Sequence, residues 1–173
     1  MLEAERNSAT DSGAPPRSRL RVALASSLTA GCSALILAVA MWPKPVTEGP
    51  SKTIIEKVLA ASHDAGVPSG FGFQSLQFLA NIGMFIPFGF FLALALTRGR
   101  VWGAASATLA FSGAIELTQE LFLPDRASDP WDVVANTCGG LIGLGLAVVL
   151  CHMVKVRDRW VVARALYFDA RGA

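Results

Sequence analysis

The chain has 173 residues, enough for one domain, and 53% of them are hydrophobic, with a mean hydropathy of +0.47. That is too apolar for a soluble domain, which must cover itself with polar surface, so a membrane class follows. The formal charge of +2 and pI near 8.6 come from clusters beside apolar runs, which argues against a nucleic-acid partner and for anionic lipid head groups as the counter-charge. Cys32, Cys138 and Cys151 have no paired spacing, so neither a disulfide framework nor a metal site is expected, and all three read as small buried apolar residues.

Residues 1–18 mix Ser, Pro, Gly and charge without an apolar period and read as a disordered tail. Val22 to Pro43 carries no charged residue, and about 20 such residues cross the hydrocarbon as a helix. This run is longer than the apolar region of a signal peptide, so a retained first span is expected. Residues 44–75 follow, a proline- and glycine-rich connection in which Lys44, Lys52 and Lys57 balance Glu48, Glu56 and Asp64. Within it, SKTIIEKVLAAS has a short helical period and reads as one or two amphipathic turns on the membrane surface. GVPSGFGFQS reads as an interfacial approach, with Phe71 and Phe73 toward lipid.

The second span is expected over Ser75–Leu96, kinked at Pro87. The third runs from Val101 to about Phe122 and the fourth from Pro130 to about Val154. Gly139 and Gly143, with Gly140, have the spacing that lets helix backbones approach closely. The tail, 155–173, is basic with an apolar side and reads as a short interfacial helix. The fold class is therefore an all-α integral membrane protein of four transmembrane helices over 19–154.

The loops assign its orientation. Arg17, Arg19 and Arg21 precede the first span, Arg98 and Arg100 fill the turn after the second, and Lys155, Arg157, Arg159 and Arg164 follow the fourth. The other two connections have no such excess, so both termini are expected in the cytoplasm. Trp42 and Trp131 then fall at the outer boundary and Trp102 and Trp160 at the inner one, as an aromatic belt requires.

This topology brings Asn81, Glu116, Gln119, Asp132 and Asn136 to one depth in the outer leaflet, beneath a loop carrying Arg126. Glu116 and Gln119 share a helix face, as do Asp132 and Asn136. A buried carboxylate in hydrocarbon costs about 2.5–3.5 kcal/mol even on lenient scales, so Glu116 should face the bundle interior and pair with Arg126. Asp129-Pro130 reads as a helix start, with Asp129 as N-cap; Asp132 fits both the helix dipole and a site. Glu120 reads as a solvated interface charge. His63 and His152 lack partners at ligand spacing, so no metal or other cofactor is expected.

These residues resemble the VanZ-like family of bacterial membrane proteins. The resemblance rests on Asn81, Phe85, Pro87 and Gly89 in NIGMFIPFGFFLAL, and on Glu116, Gln119, Arg126, Asp132, Asn136, Gly140 and Gly143 in IELTQELFLPDRASDPWDVVANTCGGLIG. It covers about 75–150, leaving the tails and the long outer loop outside. The family takes its name from a teicoplanin-resistance protein, so the resemblance implies an envelope role in the bacterial cytoplasmic membrane. The expected partners are membrane lipids and a lipid-linked or peptidoglycan-related ligand, with homo-oligomerisation left open. Two rival readings stay open. One is an enzyme acting on a lipid-linked substrate with Glu116 as general base, ranked lower because no activated Ser, Cys or His nucleophile is apparent. The other is a structural assembly factor.

Overall fold

The computed structural model describes residues 18–42, 50–96, 101–123 and 129–172, and these form five helices. They are α1 (Arg19–Ala40), α2 (Pro50–Asp64), α3 (Phe73–Ala95), α4 (Val101–Phe122) and α5 (Pro130–Gly172). The expected disordered tail, apart from Ser18, lies outside the described residues, as do Lys44, Arg98 and Arg100.

The connection between α1 and α3 holds more structure than expected. In place of one or two turns, α2 runs for 15 residues. It ends where Gly66, at φ +93°, takes the left-handed conformation. Gly66 N–H donates to the His63 carbonyl at 2.9 Å and Val67 N–H to the Ser62 carbonyl at 3.1 Å, the paired bonds of a glycine-terminated helix. His63 Nε2 lies 3.0 Å from the Phe71 carbonyl, tying the turn back onto α2.

Glycines set the main helix contact. A Cβ at Gly139 or Gly143 would collide with the carbonyls of Ile82 and Ile86, and one at Gly89 with the Gly140 backbone. Backbone therefore lies on backbone, and because both contact positions advance together, α3 and α5 run parallel. On the other side of α5, Asn136 bonds Ser112 and Gly140 meets the Thr108 side chain. Here the positions advance in opposite directions, so α4 is antiparallel to α5. The α1 helix packs mainly along α3. Phe85, Phe88, Ile115, Ile36 and Ala40 form the apolar core, with Phe88 and Phe111 stacked at 5.0 Å.

Polarity is distributed inside out. Thr108, Ser112, Gln119 and Asn136 are buried, while Leu109, Leu117 and Leu121 stand exposed on the opposite face of α4 and Leu141, Ile142 and Leu146 on α5. A water-soluble domain does the reverse, so the chain is an all-helical membrane protein. Three helices, α1, α3 and α5, are long and apolar enough to cross a membrane. With 22 residues α4 matches α1 in length but carries its polarity on the buried face.

Two expectations need correction. The fourth span and the tail are one helix: α5 continues past Val154 without interruption for 43 residues in all, about 65 Å against a hydrocarbon thickness of about 30 Å. The cysteines are free but not all buried, since Cys138 is exposed and Cys32 and Cys151 are half-buried.

Candidate functional site

The register of the helices stacks the polar residues in layers. Asn136 Nδ2 donates to Ser112 Oγ at 3.0 Å, and one turn further along α5 Gly140 meets Thr108. Continuing the same antiparallel register one turn toward the start of α5 puts Glu116 level with Asp132. The parallel register of α3 and α5 puts Asn81 level with Asn136 and Gln77 just above. Gln77 Nε2 donates to Asp132 Oδ2 at 2.9 Å.

The start of α5 holds Asp132 in place. Asp129 Oδ1 accepts the Trp131 N–H at 3.0 Å, and the Asp129 carbonyl accepts the Asp132 N–H at 2.7 Å, so Asp129 is the N-cap and Pro130 opens the helix at a position that needs no donor. An acidic residue in this first turn also complements the helix dipole.

Two candidates spend their amides on joining helices. Gln119, buried, donates through Nε2 to the Ala40 carbonyl at 2.9 Å, satisfying one of the terminal carbonyls that α1 cannot pair internally. Asn136 binds Ser112, and its Oδ1 is buried without a hydrogen-bond partner among the described residues. Glu116 and Asn81 are half-buried. Arg126 lies outside the described residues, and so does the expected pairing of Glu116 with it. Glu120 is exposed.

Beside this layer a cavity of about 550 Å³ opens between the N-terminal ends of α3 and α5. Its lining combines polar Gln74, Ser75, Gln77, Asp129 and Asp132 with apolar Phe71, Phe78, Leu79 and Trp131. Of the six residues expected to bind a ligand, Asp132 alone lines it among the described residues. Gln77 was missed by sequence reasoning. Its signal was available, since it precedes Asn81 by four positions and so shares that face of α3. Among the described residues no group of three or more His, Cys, Asp or Glu side chains is arranged to hold a metal ion.

Comparison with known families matches the VanZ/LLP1 family over residues 30–151. The match is wider than the motifs alone suggested, because it takes in half of α1 and the whole long connection with α2, which the resemblance had left outside. No curated protein and no solved structure matches the chain.

Proposed function

The chain belongs to the VanZ/LLP1 family, and on that premise we propose that it is a multi-pass protein of the bacterial cytoplasmic membrane whose outer polar layer binds a lipid-linked or peptidoglycan-related ligand and alters glycopeptide (teicoplanin) susceptibility. The observation that supports it is the Gln77–Asp132 bond beside an open cavity, with Glu116 of α4 brought to the level of Asp132 by the antiparallel register of α4 and α5. Polar groups kept at such a depth are seldom kept for stability alone. Arg126 engages an anionic group of the ligand bidentately, Glu116 and Asp132 fix Arg126, and Asn81 orients the ligand.

The four-span arrangement is part of this reading. The inside-out pattern of α4 supports a fourth membrane crossing, kinking at Pro87 accommodates the second, and the basic flanks support cytoplasmic termini. For Gln119 and Asn136 a structural role is favoured, because each already bonds a neighbouring helix.

The test is Glu116→Gln in the native host. The variant is expected to remain inserted and abundant while glycopeptide susceptibility shifts as in the deletion strain. Wild-type susceptibility at wild-type abundance overturns the proposal.

A further inference from the structure

We propose that the C-terminal part of α5 is one strand of a coiled coil, completed by a helix of another protein that carries apolar residues in heptads between acidic flanks. This arm lies at the other end of α5 from Asp132, so its pairing is independent of the ligand proposed above.

The helix outruns its bundle. The Gly140–Thr108 and Asn136–Ser112 contacts put the start of α4 level with about residue 147 of α5, and the glycine contacts put the end of α3 level with about residue 150. Since α5 continues to Gly172, roughly 20 residues, or about 30 Å, stand beyond both neighbours. The apolar residues there follow a heptad. Leu146, Val149 and Met153 begin a three-four alternation that Val156, Trp160, Ala163 and Tyr167 continue without a polar interruption, three heptads in all. Every one of them is exposed, with Met153 at 62% and Trp160 at 74%, whereas Gly140, Gly143 and Ala147 are buried on the side that meets α3 and α4. An apolar seam sustained at this period between charged flanks is a coiled-coil signature.

The flanks choose the partner. Beside the seam stand Arg157 and Arg164 on one edge and His152 and Arg159 on the other. Arg157 contacts Asp158 at 3.2 Å, but both side chains remain mostly exposed, and such a surface pair contributes little. Two copies of this chain in one membrane would run parallel, with Arg159 of one facing the partner's Arg164, and like charges at these positions oppose self-pairing. A helix with Asp or Glu on its flanks is complementary at the same positions. Lipid does not fit the arm as well: α5 is about 65 Å long against about 40–45 Å for a bilayer with its head groups, and laying the arm on the surface would require a break in a helix that has none from Pro130 to Gly172.

The seam also has a shape to fill. Between Trp160 and Tyr167 the small Ala163 leaves a groove of about 560 Å³, walled by Val161, Arg164 and Phe168. The Arg164 guanidinium lies over the Phe168 ring, 5.8 Å from its centre. A leucine of the partner opposite Ala163 enters this groove as a knob enters a hole.

The experiment uses the full chain in phosphatidylcholine nanodiscs and a four-heptad peptide with leucine at the seam positions and glutamate on both flanks. Binding is expected to be at least tenfold tighter than for the same peptide with lysine flanks or for a scrambled glutamate peptide. Trp160→Glu should weaken it about tenfold, and Arg159→Glu with Arg164→Glu should reverse the preference toward the lysine peptide, which also shows that the variant is folded. Equal binding of the scrambled peptide overturns the inference, because charge alone would then suffice. The other occupants are read in a background with Cys32, Cys138 and Cys151 replaced by Ser. Ready disulfide dimers of Ala163→Cys would assign the seam to a second copy. Quenching of a fluorophore on Tyr167→Cys by brominated acyl chains in phosphatidylglycerol nanodiscs would assign it to lipid. Tighter peptide binding after deletion of residues 1–17 would assign it to the chain's own tail. Each of these three results overturns the proposal.

Discussion

The α5 helix is held on two sides by opposite means. Toward α3 it presents glycines, and the contact is backbone against backbone at Ile82 and Ile86. Toward α4 it presents polar side chains, and the contact runs through the Asn136–Ser112 bond and the Gly140–Thr108 contact. In lipid neither contact is driven by apolar burial, because the tails are as apolar as leucine; close packing and internal hydrogen bonds must serve instead. The glycine side sets distance and tolerates nothing larger. The polar side sets register, and so determines that Glu116 arrives at the level of Asp132.

Substitutions that attack each side separately can break this comparison. The largest loss belongs to the glycine side: Gly143→Leu pushes a branched side chain into the Ile86 carbonyl, so α3 and α5 must separate. The expected cost is about 3 kcal/mol, the upper end for overpacking, read as a loss of folded protein in detergent. Gln119→Ala comes next. It removes the buried bond to the Ala40 carbonyl, and a net intramolecular hydrogen bond contributes about 1 kcal/mol; thermal unfolding in detergent measures it, and Gln119→Glu should not rescue. Asn136→Ala is the smallest. Losing one interhelical bond in a bundle costs about 0.6 kcal/mol, yet the register should loosen, which distances between spin labels on α4 and α5 detect. If Asn136→Ala proves costlier than Gly143→Leu, the roles of the two sides are reversed.

The helices and the glycine contact were legible because both depend on local pattern. The charge-free run Val22–Pro43, the Gly139/Gly143 spacing and the Asp129-Pro130 start are each patterns local to one element. The end of α2 was also legible in principle, since Gly66 followed by Pro68 is a helix-stop signal, but the surrounding prolines and glycines obscured a 15-residue helix. The partners of the polar residues were not legible. Nothing local to Gln119 says that its amide reaches Ala40, 79 positions away, and although Gln77 shares a helix face with Asn81, nothing local names Asp132 as its partner. The length of α5 was misjudged for a different reason. The change from apolar to basic residues after Val154 marks where the surroundings change, which need not be where a helix stops.

The central claim is that Asp132 stands in a cavity open to the outside. The most direct measurement replaces Cys32, Cys138 and Cys151 with Ser, introduces Asp132→Cys, and treats intact spheroplasts with a membrane-impermeant maleimide. The account predicts labelling of Asp132→Cys from outside, and none of Gly99→Cys in the same background until the membrane is opened. Labelling of Gly99→Cys in intact spheroplasts with Asp132→Cys protected would contradict it and place the cavity on the cytoplasmic side.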